Sequence, residues 1–455
     1  MKVSVAPPLA GLGTYAQGAE TGVTVDVTVM RLRRYVFLKS QLLHVFAAHF
    51  NHVAEWEVKG AFSLHMWQDA EHSTAFRKRI TEMRTPPHHL DRSPDPALEH
   101  FMAELRSTRQ TDELLVAIYE ILKPAIAEGF RTHLEQTHII ADHPTRRLIK
   151  FALQEEEEQL DWGRQAMAAL VATDAATTER IASWREHLRA YLDAAGGVLG
   201  ENPSAQPLPA SRVNPASPLP SQQPRRDERF TRVWRSRGLL PGANASVHER
   251  IWWMMNVRLN EMHVSELIAS VLAEWKDQPW DFYHDLSRHL WDETRHCMLG
   301  EIAFASQGID FTQIPTHIGF AEYPNLQLEP ADRYSFLWGI EQGLMGKSGK
   351  QAEMALAQEG LDERATVFQD YDWADEVLHA QIGRRWLEPH YGSREKMGEA
   401  YTRVRPAYDE GKEEDLKQPG RDWWNTFYQA YLASKDPHPS AAAESSVPSA
   451  SEAGY

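Results

Sequence analysis

A repeat narrows the fold of this chain more than any other feature. "HMWQDAEH" (65 to 72) returns as "HLWDETRH" (289 to 296) at an offset of 224. "IYEIL" around Glu120 matches "GIEQG" around Glu341 at 221, and "EEEEQLDWGR" (155 to 164) matches "DEVLHAQIGR" (375 to 384) at 220. Thus His65, Trp67 and His72 recur as His289, Trp291 and His296, while Glu156, Gly163 and Arg164 recur as Glu376, Gly383 and Arg384. Offsets that agree so closely mean one helical design written twice.

The design is helical because both halves are poor in alternating β-branched runs and carry apolar residues at helical spacing. The expected fold is all-α: two tandem four-helix bundles over 29–195 and 246–392. An arm (1–28) precedes them, a Pro/Ser-rich linker (196–245) joins them, and C-terminal helices (393–435) and a disordered tail (436–455) follow. In the second half the periodicity predicts helices at 247–275, 281–305, 333–358 and 363–388, with a long crossover from Gly308 to Ala331. Cys297 is the only cysteine, which excludes a disulfide framework and a thiolate zinc site. A net charge of -16 argues against general nucleic-acid binding. Neither a signal segment nor an apolar run of membrane-spanning length is evident, so the expectation is a cytoplasmic protein.

Chemistry concentrates in the second half. "WDETRHCMLGE" (291 to 301) places Glu293 and His296 three apart, on one helical face. "DYDWADEVLHAQIGRRW" (370 to 386) repeats the pattern with Glu376 and His379, and an Asp precedes each Glu (Asp292, Asp375). Glu266 on the first helix lies about as far before its turn as Glu293 lies after it. Glu261 competes for that role, and depth within the helix favours Glu266. Glu341 comes from the third helix. One such Glu-x-x-His is weak, since helices are full of Glu and His. Two pairs, with Glu on the intervening helices, match the ligand pattern of di-metal carboxylate bundles. Four carboxylates would balance two divalent ions, and two imidazoles would complete their shells. Without metal the carboxylates would repel one another.

With these residues the chain resembles the ferritin-like di-iron carboxylate superfamily, and "DETRH" looks like the Asp-Glu-x-Arg-His motif of its soluble oxygenases and desaturases. The resemblance covers about 140 residues at the level of ligands and helix order. It implies that Asp292 and Asp375 hydrogen-bond the ligand histidines, with Arg295 tying the network together. It also implies two iron ions, with manganese or a mixed Mn/Fe pair possible on the same ligands, and reaction with dioxygen.

The first-half copy is incomplete. Asp69, His72, Glu120 and Glu156 persist, but Gln159 replaces the second histidine, and no Asp or Glu occurs from Val27 to Ala54. His44 or His49 could substitute, although a buried histidine with ordinary hydrogen bonds is the commoner case. This site is expected to be lost or weak, a polar network in a structural partner.

Other features carry two readings each. Gly343, Gly346 and Gly349 bare one helical face, for close packing or for a space or distortion beside the metals. Arg384 and Arg385 suit an anion, or a surface salt bridge. Tyr371 is a candidate redox tyrosine or ordinary packing, and Cys297 reads as a buried inert thiol. "RDWWNTFYQAYL" reads as an amphipathic helix for the bundle or for a partner. The expected function is a dioxygen-dependent non-haem di-iron oxidoreductase that hydroxylates, desaturates or N-oxygenates a small organic substrate. It would use an external electron donor, bind neither nucleic acid nor membrane, and plausibly form a homodimer. The alternative is a ferritin-like metal-binding scaffold without substrate oxidation.

Overall fold

The computed structural model describes residues 6–86, 90–214, 220–230 and 232–435. The expected disordered tail, 436–455, lies outside them, as do the first five residues of the arm and residues 215–219 of the linker. The chain is all-α. Among the described residues the only regular β structure is a two-residue parallel pair, β1 (Val233–Trp234) on β2 (Thr316–His317).

The first half contains α1 (Tyr15–Gly18), α2 (Val25–Phe50), α3 (Trp56–Thr81), α4 (Pro96–Arg106) and α5 (Thr111–Val116). A π-helical turn at Ala117–Leu122 leads into α6 (Lys123–Gln136), and α7 (His143–Leu170) and α8 (Ala175–Ala194) follow. The second half contains α9 (Val247–Leu259), α10 (Met262–Glu274), α11 (Trp280–Ala305), α12 (Gly319–Gln327), α13 (Pro330–Leu344), α14 (Lys350–Glu359) and α15 (Glu363–Tyr391). Then come α16 (Arg394–Leu416) and α17 (Trp423–Lys435). Side-chain caps set several starts: Thr24, Ser246 and Asp362 each accept a hydrogen bond from the backbone N–H three residues on. Gly392, at φ 86°, closes α15 in a conformation that favours glycine.

Four expectations change. The first predicted helix of the second half is two helices, α9 and α10, interrupted at Asn260 and Glu261. Asn260 Nδ2 donates to Asn256 O while its Oδ1 accepts from His317 N, so the side chain competes for the backbone groups that would continue the helix. The third is also two, α13 and α14, separated at 345–349 where the glycines lie. Helix α2 begins at Val25, inside the predicted arm. Among its described residues the linker has no helix, yet it is tied to both halves. Asn51 Nδ2 donates to Gln222 Oε1, Asn325 Nδ2 donates to Gln222 O, and Arg212 lies over the Trp184 ring.

The α2–α3 hairpin packs on the α10–α11 hairpin, and these four helices form the middle of the molecule. Both α2 after Arg33 and α10 are buried nearly all round, which is why they are so apolar. It also accounts for the acid-free stretch of α2, since a carboxylate there would be buried without water. The Trp67 and Trp291 rings stack with centroids 6.5 Å apart and planes 11° apart. They occupy equivalent places in the repeat, so the halves meet like the two sides of an isologous pair, within one chain. A buried ion cluster joins them: Lys59 Nζ lies 2.5 Å from Glu266 Oε1, and Arg226 of the linker pairs with the same carboxylate. Helix α17 packs on α9, with Trp424 against Trp253 at 5.0 Å. Among the described residues, no helix is long and apolar enough to cross a membrane.

Candidate metal centre

Helix α11 supplies His289, Glu293 and His296, spaced four and three apart and therefore on one face. Helix α15 supplies Asp372, Glu376 and His379 at the same spacing, α13 supplies Glu341, and Glu261 comes from the break between α9 and α10. All eight are buried. Their ligand atoms fall into overlapping groups that could hold metal: His289, Glu293, Glu341 and His379; Glu261, Glu293 and His296; His296, Asp372 and Glu376.

Glu293 belongs to two of these groups through different oxygens. Its Oε1 lies 3.0 Å from His379 Nδ1 and 3.5 Å from His289 Nε2, while Oε2 lies 3.8 Å from His296 Nδ1. That is the position of a carboxylate able to bridge two cations. Glu341 Oε1 is 2.9 Å from His289 Nε2, and Glu261 Oε2 is 3.7 Å from His296 Nδ1. The outer imidazole nitrogens point to aspartates across the helix pair. His296 Nε2 lies 3.1 Å from Asp375 Oδ2, and His379 Nε2 lies 3.4 Å from Asp292 Oδ2. Arg295 pairs with both aspartates, at 2.8 Å from Asp375. Such partners fix the imidazole orientation and leave each Nδ1 facing inward.

Two cations of the protein also enter. Lys350, the first residue of α14, sits 2.7 Å from Asp372 Oδ2 and 3.1 Å from Glu376 Oε1. Arg258 pairs with Glu261 and, at 2.7 Å, with Asp372.

Burial opposes every charge here, and the neighbours decide the outcome. Burial disfavours a charged Glu293, but the imidazoles of His289, His296 and His379 beside it hold its carboxyl well below the usual range. His296 is raised to about 10: burial works against its charge, and the carboxylates of Asp372, Asp375 and Glu293 together outweigh it. His379 is raised well above its ordinary value against the same burial, by the carboxylates of Asp292 and Glu293 beside it. Glu261 is pushed up to about 8 by burial, with Arg258 opposing and Asp372 adding to the rise.

The set suits a di-metal ion pair in charge and in chemistry, with four glutamates and three imidazoles. Five buried atoms of it make no hydrogen bond: His296 Nδ1, His379 Nδ1, Glu261 Oε2, Glu341 Oε2 and Glu376 Oε2. Buried polar atoms are normally satisfied, and five unsatisfied ones converging on one place are what ligand atoms look like without their ion.

Of the six residues expected as ligands, Glu293, His296, Glu341, Glu376 and His379 come together, and Glu266 does not. Five residues separate Glu261 from Glu266, a rotation of about 140° on a helix. Glu266 therefore faces Lys59 and Arg226, and Glu261 takes the place at His296. Sequence reasoning missed His289 and Asp372, although each stands four residues before a recognised Glu and so on its face. Lys350 carried no signal, because its place depends on the break before α14.

The first-half copy is closed by lysines. Lys39 Nζ lies 2.6 Å from Asp69 Oδ1 and also pairs with Glu156, and Lys123 Nζ reaches both carboxylates at 3.1 and 3.3 Å. His72 Nε2 lies 2.7 Å from Glu155 Oε2, and Gln159 Nε2 donates to Gln68 Oε1 at 2.8 Å. Glu120 is outside this cluster. The π-helical turn changes the register around it, and its carboxylate pairs with Arg185 at 2.7 Å. His44 packs edge-on against Tyr283, and His49 Nε2 lies 3.3 Å from Arg106 O, so neither joins the cluster.

The remaining features take their plainer readings. Arg385 pairs with Asp285 at 2.7 Å, Arg384 Nε donates to Ala380 O, and Tyr371 is 65% exposed. Cys297 is buried with Sγ 3.2 Å from Leu259 O, and burial pushes its thiol well above the ordinary range.

No family model, curated protein or solved structure matches the chain.

Proposed function

We propose that this protein is a dioxygen-dependent oxidoreductase with a carboxylate-bridged di-metal centre in its second half. The observation that carries the reading is the convergence of Glu261, Glu293, His296, Glu341, Glu376 and His379, with His289 added, on one buried locus where five side-chain atoms make no aligned hydrogen bond. Glu293 would bridge, His289, Glu341 and His379 would serve one ion, and Glu261, His296 and Glu376 the other. Two iron ions, or manganese, or a mixed pair, would supply the capacity to reduce dioxygen and oxidise a C–H or N–H bond. The chain's own groups orient and insulate. Asp292 and Asp375 hold the imidazoles with Nδ1 inward, Arg295 balances those aspartates, and the surrounding helices exclude water. The substrate would be a small organic molecule, hydroxylated, desaturated or N-oxygenated, with electrons from a separate donor.

In the same reading the halves are tandem ferritin-like four-helix bundles joined by 196–245, the first a structural partner. A metal-binding scaffold without substrate oxidation is the second reading. It is favoured by the burial of the whole ligand set and by Lys350 within it.

The test is elemental analysis after anaerobic iron(II) loading, with an absorption spectrum recorded on admitting air. About two irons per chain and a ferric band support the oxidoreductase. Metal without dioxygen consumption supports the scaffold, and absence of tight metal rejects both. Glu293→Ala or His379→Ala is expected to abolish loading.

A further inference from the structure

We propose that the two metal positions are unequal and that Lys350 is the reason. Its ammonium occupies the second position as an internal counter-cation, so the first ion enters at His289, Glu293, Glu341 and His379, and the second enters only when Lys350 withdraws. The inference rests on the metal-centre reading above.

Among the described residues, no lysine or arginine reaches the first position, and Glu293 and Glu341 pair only with histidines. A divalent ion arriving there has no ammonium or guanidinium to displace. The second is different. Lys350 is buried, and its Nζ bonds Asp372 and stands 3.1 Å from Glu376 Oε1. Arg258 holds the other oxygen of Asp372. An ammonium in hydrogen-bond contact with the ligand carboxylates and a divalent ion bound to them would repel strongly at such range, so one excludes the other.

The same chain shows the arrangement taken to completion. In the first half Lys39 and Lys123 both grip Asp69 and Glu156, the counterparts of Glu293 and Glu376. Lys350 uses the same device from one side only, and its attachment to the fold gives it a way out. It is the first residue of α14, directly after the break at 345–349. Gly343 and Gly346 at that break are exposed, and a Cβ at Gly343 would meet nothing within 4 Å. The backbone carrying Lys350 can shift at those two residues without breaking a continuous helix, while Gly349, next to Lys350, is buried against the Leu344 backbone.

The experiment is a titration of the chelator-stripped full chain with Mn2+, free ion being counted by its paramagnetic resonance signal. The parent is expected to bind one ion tightly and a second at least about tenfold more weakly. Lys350→Met is expected to strengthen the second step by about tenfold or more, while Lys350→Arg, which keeps the charge, leaves it weak. His289→Ala is expected to remove the tight step. Circular dichroism checks that each variant is folded, and Lys350→Gln replaces Lys350→Met if the latter is not. Two equal steps in the parent would overturn the inference and leave the metal centre standing. So would a second step that Lys350→Met does not change. No Mn2+ bound by the parent or by any variant would overturn the metal centre and the inference together.

Discussion

The two halves carry one polar network in two states, and the difference lies in a few charges. Glu155 meets His72 as Asp375 meets His296, and Gln68 meets Gln159 as Asp292 meets His379. A methyl group on Gly163 would collide with Tyr119, and one on Gly383 with Trp338, at matching places in the repeat. Against this shared frame, Lys39 and Lys123 fill the centre of the first cluster, and Ala152 stands where the offset of 220 puts Asp372. The first half has lost carboxylates and one imidazole and gained lysines, so its remaining charges cancel. The second keeps an excess of acid and imidazole that the protein's own cations only partly meet. Conversion of a metal-type cluster into a structural one thus needs no change of fold, only an internal cation in place of an external one.

The largest effect should come from removing that internal cation. Lys39→Met leaves Asp69 and Glu156 buried with Lys123 alone, and breaking a buried ion cluster costs about 3–5 kcal/mol. Equilibrium unfolding in urea should show a loss of this size, with the metal content of the second half unchanged. A variant as stable as the parent would mean that the first-half network does not hold the fold.

Acid should separate α2 and α6 from α11 and α15 next. Burial pushes His44, His49 and His133, all in the first half, down to about 4. Unfolded, they would titrate near 6.5, so between these values the unfolded chain binds more protons and stability falls as pH falls. At pH 5.5 each accounts for about 1 kcal/mol, and the three together for about 3 kcal/mol. His289, His296 and His379 are shifted the other way, so what they contribute to the metal-free fold is complete below pH 6.5 and is lost at alkaline pH, for His296 on passing about 10. Hydrogen exchange at pH 7 and 5.5 should therefore show α2 and α6 loosening before α11 and α15. Equal loosening would place the acid sensitivity outside these histidines.

The sequence reading reached the helical class and five of the eight buried residues that converge in the second half, because spacing on a helix encodes them directly. It failed where the helices do not run straight. Glu266 rather than Glu261 seemed the deeper residue on a continuous helix, and the break at Asn260 removes that basis. Glu120 looked equivalent to Glu341 until the π-helical turn gave it to Arg185. The glycines after Glu341 did announce a break, but not that the next helix would begin with Lys350 in the centre. His289 was legible: it is the repeat partner of His65 and shares a face with Glu293.

The smallest effect is also the sharpest test of what closes a cluster. Gln159→His restores a Glu-x-x-His to the first half and replaces one hydrogen bond, Gln159 Nε2 to Gln68 Oε1. Stability should shift by about 1 kcal/mol, the net worth of such a bond. Metal content should not rise, because Lys39 and Lys123 still neutralise Asp69 and Glu156. Elemental analysis beside the parent measures this directly. An extra ion in this single variant would show that the missing imidazole, not the lysines, had closed the first half. Lys350 would then lose its nearest precedent, and the weakness of the second position would have to be sought in Arg258 instead.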